Sequence, residues 1–449
     1  MTTKLVRFCA IFCVVFCAVS ASSYFIHISD PHIDFNYKEG TNVNCALMDL
    51  GWPCCHNWSS HLSPAEQAPK YGFRNCDIPP DTFQVLVEAM AKEYPNPFLV
   101  LLTGDLTSHD AFYEYPEHIA DKWDFVFTTV KKYFGEDVKI ISTIGNHDVF
   151  PADQASDNKT DEVVTDLLNV MYNHGVLHKG VPDEDIFSLR GYYKTSIPNT
   201  NVDAVVMNNI IDLRQNRWTD KTNRDPGGMY SWMQKAVADS AAAGRKVWLV
   251  GHVAPTYEME LVRGVSAVER LVDAFARNGT LTAGLYGHTH HDEFMLTGME
   301  SLQDKPDFVS ILAPGVTCKS DINPSIRAVD VDGDDLTLID WHQYHMEINA
   351  SNDARKVIFN HVYDFRAYYD VPDLSPKSFQ TISQRTLTSE SYAIKYLNAR
   401  STINNFYGSC DEDCRKQVYC NTSFRESSSL HMSCLFSSYK QLVASLNSH

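Results

Sequence analysis

Beyond its opening residues the sequence has no apolar run long enough to cross a bilayer. Its last stretch, YKQLVASLNSH, lacks the hydrophobic tail that a GPI-anchor signal requires. Positive charge is also scarce. The 38 Lys and Arg against 56 Asp and Glu leave a formal charge of −18, the wrong sign for a groove that grips duplex nucleic acid. Such a chain can still act on anionic substrates if bound metal ions set the local charge. There is no internal repeat and no low-complexity tract. At 44% hydrophobic and 21% charged residues the composition is that of a globular protein, and 449 residues can hold two or three domains or one large α/β core.

What is present begins with MTTKLVRFCAIFCVVFCAVSASS, where Lys4 and Arg7 precede an apolar run from Phe8 to Val19 and then small residues. That run is short for a membrane span and long enough for a signal peptide over residues 1–21, with a signal anchor as the plainer alternative. A secreted or lysosomal/lumenal location is therefore expected. Cysteine usage agrees. Outside the signal nine remain: Cys45, Cys54, Cys55 and Cys76, a lone Cys318, and Cys410, Cys414, Cys420 and Cys434. In an exported chain two groups of four read as disulfides rather than metal clusters, and eight cysteines allow 105 pairings. Asn57, Asn158, Asn278, Asn349 and Asn421 head N-x-[ST] triplets, candidate glycosylation sites.

Short apolar runs that end in a Gly or Asp/His turn recur: YFIHISDPH, FLVLLTGDL, VKIISTIGNHD, VDAVVMNNI, KVWLVGHVAP and LTAGLYGHTH. They read as buried strands. Helix-like stretches lie between them at Pro80–Tyr94, Ile119–Phe134, Thr160–His174, Met229–Ala243 and Val265–Arg277. The alternation points to an α/β fold with covered sheets. FVSILAP, SIRAVDVDG and LTLIDWHQYHM follow without long helices, which predicts a second, more antiparallel sheet region. From about Asp353 the texture turns helical at Tyr363–Tyr369, Ser378–Gln384 and Ser389–Ser401, ahead of the last cysteines. A small helical, disulfide-stapled cap is expected there.

The metal-capable side chains cluster at the ends of the expected strands. Asp30 and His32 end the first, Asp105 the next, Asn146 and His147 a third, His252 a fourth, and His288 and His290 a fifth. Ligand sites of α/β sheets gather at carboxyl strand ends. Singly each has a plainer reading, Asp105 as a cap, Asn146 in a turn, His252 as a core histidine; five motifs in series do not. Imidazole with carboxylate and amide oxygen suits zinc, manganese or iron over calcium. Seven such groups exceed what one ion needs and match two ions bridged by a carboxylate, the device that acidifies a water and clamps the oxygens of phosphoryl transfer. In GLYGHTHHDEF, alternate side chains of an extended loop face one way, so His288 and His290 share a cavity and His291 points elsewhere.

The ordered set DPH, GDLTSHD, GNHD, GHVAP and GHTHHDEF resembles the calcineurin-like metallophosphoesterase superfamily, and within it acid sphingomyelinase and the acid sphingomyelinase-like phosphodiesterases. The resemblance runs from Tyr24 through the C-terminal cysteines. It implies a four-layer α/β/β/α metallophosphoesterase sandwich over residues 22–352 and a small helical, disulfide-stapled C-terminal subdomain over 353–449. It also implies two zinc ions, one on Asp30, His32, Asp105 and His290 and the other on Asp105, Asn146, His252 and His288, with Asp105 bridging. His147 matches a histidine that stabilises the pentacoordinate phosphorus, and His109 one proposed to protonate the leaving group; the resemblance leaves open which is the acid. The implied disulfides are Cys45–Cys54, Cys55–Cys76, Cys410–Cys414 and Cys420–Cys434, with Cys318 unassigned.

Purple acid phosphatases place a tyrosine ligand where this chain has Ser108, and they lack a counterpart of His32, which argues against iron-tyrosinate chemistry. The saposin domain of acid sphingomyelinase is expected to be missing, since few residues separate the signal from Asp30. The resemblance therefore implies a secreted zinc phosphodiesterase, expected as a monomer, acting on phosphodiester or pyrophosphate bonds of a small soluble nucleotide-type substrate. The rival is a sphingomyelin phosphodiesterase acting on a phospholipid, and a third reading is a non-catalytic secreted binding protein on the same scaffold.

Overall fold

The computed structural model describes residues 24–43, 54–56, 63–109, 115–157, 161–254, 264–299, 301, 304–319, 321–402, 407–424 and 428–446. The expected signal peptide, residues 1–21, lies outside them. Among the described residues twelve strands form two six-stranded sheets. The first runs β12-β11-β10-β1-β2-β3, from β1 (Tyr24–Ile28), β2 (Leu99–Leu102), β3 (Lys139–Ser142), β10 (Ser325–Asp332), β11 (Thr337–Met346) and β12 (Phe359–Asp364). The second runs β4-β5-β6-β7-β9-β8, from β4 (Tyr193–Ser196), β5 (Val202–Val206), β6 (Lys246–Val250), β7 (Leu281–Tyr286), β8 (Glu293–Thr297) and β9 (Phe308–Leu312).

Each sheet has a parallel centre and antiparallel additions. β1, β2 and β3 are mutually parallel, as are β5, β6, β7 and β9. The central strands are largely apolar, LVLL in β2 and VDAVV in β5, every residue of both is buried, and the one carboxylate, Asp203, is paired with Arg245 at 2.8 Å. Such runs belong to sheets covered on both faces. Helices provide the outer cover. Pro116–Phe134 buries Ile119, Trp123, Val126, Phe127 and Val130, and Met229–Ala242 buries Met229, Met233 and Val237 and packs on β5 and β6. Between the sheets, the rings of Phe25 on β1 and Trp248 on β6 meet at 5.1 Å. The Tyr193 hydroxyl of β4 donates to the Ser142 carbonyl of β3 at 2.9 Å. The chain is a mixed α/β structure of two sheets flanked by helices.

The later strands differ from the sequence expectation. β10 and β11 do pair antiparallel, as expected, but they extend the first sheet from the edge of β1 instead of forming a second one, while β9 joins the second sheet parallel to β7. An open edge on β1 is an unmet set of backbone donors and acceptors, and an antiparallel return satisfies it. Tyr363–Tyr369 is likewise helical only from Phe365, because FNHVYD pairs with β11 as β12. That strand lies beyond the expected boundary near Asp353 and completes the first sheet.

The C-terminal helices follow. Pro376–Thr388 and Glu412–Ser423 pack together and on β8. Leu387, Tyr419, Cys420, Phe424, Cys434 and Leu442 make a small core of their own. The Cys410–Cys414 and Cys420–Cys434 disulfides staple it, and Cys55–Cys76 ties an N-terminal loop. Cys54 is disulfide-bonded, whereas Cys45 lies outside the described residues. Cys318 is a buried free thiol.

Candidate metal centre

β1, β2 and β3 of one sheet and β6 and β7 of the other release their chains at a common edge. The loops there bring together Asp30, His32, Asp105, Asn146, His252, His288 and His290. One potential ligand atom from each of Asp30, His32, Asp105 and His290 falls within a 4.8 Å group, and Asp105, His252 and His288 make a second such group. Asp105 belongs to both. Its Oδ2 lies 3.5 Å from His32 Nε2 on one side and 3.2 Å from His252 Nε2 on the other. Asn146 Oδ1 joins the second group, 3.0 Å from His252 Nε2 and 3.0 Å from His288 Nδ1.

Hydrogen bonds behind the cluster settle which atoms face inward. His252 Nδ1 donates to the Thr103 carbonyl at 2.7 Å and His32 Nδ1 to the Thr107 carbonyl at 2.8 Å, which leaves both Nε2 atoms for the cavity. The Asn146 amide nitrogen donates to Asp153 Oδ1 at 2.9 Å, turning its oxygen inward. The His288 backbone N–H reaches both oxygens of Asp30, at 3.0 and 3.1 Å. His291, by contrast, holds Nδ1 2.6 Å from its own loop's Thr289 carbonyl and joins neither group.

The backbone is bent to make this fit. Asp30, His32, Asp105, His288 and His290 all take positive φ, between 43° and 76°. For non-glycine residues this left-handed region costs about 1–2 kcal/mol each, and such residues collect at functional sites. Glycines allow the close approach. A Cβ on Gly145 would stand 2.1 Å from Asp105 Oδ1, and one on Gly287 would stand 2.0 Å from Ser29 Oγ.

The cluster's electrostatics call for positive charge. Burial pushes the Asp30 carboxyl up to about 7, against the pull of His252. Burial opposes ionisation of Asp105 too, but the neighbouring His252 and His147 hold it well below the usual carboxylate range. Burial drives His288 down to about 4 and lowers His32 and His290 well below the ordinary imidazole value. His252 goes the other way: burial opposes its charge, but Asp105 beside it pushes it up to about 9, so an ion there would take the place of that proton. Imidazoles around two buried carboxylates form a donor set that divalent ions fit. The residues present therefore suit a two-metal centre.

His147 and His109 flank the His32 side of the cluster. The His147 N–H donates to Asp105 Oδ1 at 2.8 Å, and its ring centroid lies 5.2 Å from His32 and 4.4 Å from His109. His109 stacks on His32 at 3.7 Å. Sequence reasoning missed its partner. Buried Asp77 accepts from the His109 N–H at 2.7 Å and contacts His109 Nδ1 at 2.8 Å, so the second ring nitrogen is the free one. The only sequence cue was its place directly after Cys76. Also missed was Asp148, whose carboxylate accepts from the N–H groups of Asp105, Thr107 and Gly145 at 2.8–3.0 Å and so clamps two ligand loops together. Away from the centre, Asn278, Asn349 and Asn421 are exposed, and Asn57 and Asn158 lie outside the described residues. No helix among the described residues is long and apolar enough to cross a membrane.

Comparison with known proteins adds the following. Residues 23–292 match the calcineurin-like phosphoesterase family, and residues 306–441 match the acid sphingomyelin phosphodiesterase C-terminal region. Sphingomyelin phosphodiesterase A of Dictyostelium discoideum is 24% identical over 401 residues, covering 88% of this chain and 65% of its own length. Sphingomyelin phosphodiesterase B of the same organism is 26% identical over 394 residues, covering 85% and 60%. The chain thus spans less than two thirds of either. The Homo sapiens cyclic GMP-AMP phosphodiesterase SMPDL3A is 25% identical over 418 residues, covering 89% of this chain and 87% of its own.

Proposed function

Because the chain belongs to the calcineurin-like phosphoesterase family, we propose that it is an exported, dinuclear zinc phosphodiesterase acting as a monomer on phosphodiester or pyrophosphate bonds of soluble nucleotide-type substrates. The observation that carries the reading is Asp105, whose one oxygen is shared between two groups of histidine and carboxylate ligands. Asp30, His32, Asp105 and His290 would hold one ion, and Asp105, Asn146, His252 and His288 the other. When bound, two such ions would supply Lewis acidity and could lower the pKa of a coordinated water from about 15.7 to near 7.

The protein's own groups do the rest. Asp105 sets the spacing of the two ligand groups. His32 and His252, tied off at Nδ1, keep Nε2 aimed inward. His147, fixed through its backbone to Asp105, offers its ring to a phosphoryl oxygen. His109 is oriented by Asp77, which holds its Nδ1 at 2.8 Å and turns the other ring nitrogen toward the cluster, so we assign it delivery of a proton to the leaving oxygen. The predicted result for His147→Ala is full zinc content with turnover down about 10²–10⁴-fold. Loss of zinc on elemental analysis would instead make His147 a structural residue.

Substrate choice rests on a further comparison. This chain spans most of the cyclic GMP-AMP phosphodiesterase and a smaller share of the sphingomyelin phosphodiesterases, which supports a soluble substrate. One observation favours the lipid rival: Phe35, three residues past His32, is 43% exposed, and Tyr115, packed on Phe150 beyond His147, is 51% exposed. Aromatics in those loops suit a membrane interface. The deciding experiment compares purified protein on bis(p-nitrophenyl) phosphate, ATP and CDP-choline with its release of phosphocholine from sphingomyelin liposomes. Faster turnover of the soluble esters is expected; liposome turnover at a comparable rate would overturn the preference. A zinc-loaded protein inert on every ester would leave a binding protein on this scaffold.

A further inference from the structure

The outer edge of the first sheet carries a cluster separate from the strand-end centre. His342 on β11 and Asp364 at the end of β12 are register partners, and His361 precedes Asp364 by three residues on the same strand. Asp364 Oδ1 lies 2.5 Å from His342 Nδ1 and 2.8 Å from His361 Nε2. One ligand atom from each of the three falls within a 4.8 Å group. The remaining nitrogen of His342, Nε2, lies 2.9 Å from Asp330 Oδ2. This is how metal-ligating histidines are held: a carboxylate on one nitrogen fixes the tautomer and aims the other. The rings are braced as well. Tyr94 stacks on His342 at 5.7 Å and Tyr344 meets His361 edge-on at 5.2 Å.

The four side chains are between 21% and 42% exposed, so an ion can reach them and water can complete its shell.

We propose that His342, His361 and Asp364 bind a divalent transition-metal ion of the zinc class. His342 Nδ1, His361 Nε2 and one Asp364 oxygen are the protein ligands, water takes the fourth position, and Asp330 positions His342. Zinc with bonds of about 2.0–2.1 Å places tetrahedral ligand atoms roughly 3.3 Å apart, so each separation between Asp364 Oδ1 and the two ring nitrogens opens by less than ~1 Å to admit it. On binding, His342 releases its Nδ1 proton to solvent. The ion would clip β12 to β11, and with it the start of the chain that leads into the C-terminal helices.

The test uses the full chain in equilibrium dialysis against free zinc in the tens of micromolar, followed by elemental analysis, for wild type, His361→Asn and Asp364→Asn. Wild type is expected to hold one more equivalent of zinc than either variant, with hydrolytic turnover alike in all three. Equal zinc content would overturn the proposal and leave an ion-pair network only, as would a third equivalent retained in the variants. If a substitution unfolds the chain, anomalous scattering from zinc-soaked wild-type crystals decides: a peak among the three side chains supports the site, and its absence overturns it. Failure of the strand-end centre to bind zinc would lower all three totals equally and leave the difference intact, so the two readings fail separately.

Discussion

Asp30, His32, Asp105, His288 and His290 each hold a backbone conformation that most residues avoid. Asp and His are among the side chains that tolerate it, so the strain was compatible with the sequence without being visible in it. The energy is recovered where carboxylates and imidazoles converge. At this scale Asp77 is the residue to probe. Asp77→Asn keeps the shape and removes the charge that holds His109. Turnover is expected to fall about 10–100-fold, less than the ~10²–10⁴-fold cost of deleting an acid-base imidazole, with unchanged metal content and an altered pH–rate profile. Steady-state kinetics across pH checks this; wild-type rates and an unshifted profile would refute the positioning role.

Among the elements, the loop GHTHH is set from behind. The Asp292 N–H donates to the Arg400 carbonyl at 3.1 Å, Arg400 Nε bonds Glu293 at 2.6 Å, and Arg327 meets the Asp292 carboxylate at 2.8 Å. The helix Glu390–Arg400 thus holds the strand that leaves the metal loop. Removing the guanidinium in Arg400→Ala should cost about 1–3 kcal/mol, below the 3–5 of a wholly buried pair because Arg400 is 31% exposed. It should also weaken metal retention about 10–100-fold. Urea melts and competition with a zinc chelator measure the two effects, and a variant matching wild type in both would exclude the coupling. These partners mark the limit of what could be read from the chain. The central strands were legible because apolar runs end in turn chemistry, and the ligand motifs because they sit at those ends. β4 (YKTS) and β8 (EFMLT) gave no comparable signal, being short strands flanking a sheet whose pairing is non-local. The assignment of β9, β10 and β11 to two different sheets depends on contacts across the molecule. So does the pairing of Asp77 with His109 and of Glu293 with Arg400, none of which leaves a local pattern.

For the molecule as a whole, acid is a load. His345 is buried on β11, its Nε2 has no hydrogen-bond partner, and burial, with Arg327, brings it down to about 3. The unfolded chain takes up that proton near 6.5. Between the two values the unfolded state binds more protons, so stability falls as pH drops through that window, by up to about 1.4 kcal/mol per pH unit for one group. His345→Gln removes this contribution. Urea melts at pH 7 and pH 5 should show a smaller acid loss in the variant than in wild type, and equal losses would refute the assignment. The same sheet has a consequence for how the protein is made. Tyr24 pairs with Asp330, and all of the second sheet's strands are encoded between them. At ~5–20 residues per second, the partner of β1 leaves the ribosome roughly 15–60 s after β1 itself. Throughout that interval one flank of an apolar strand has nothing to pair with, a standing invitation to other nascent chains. Whatever shields the flank of β1 until the chain has turned back on itself therefore bears on the yield of this protein, alongside the contacts of its finished core.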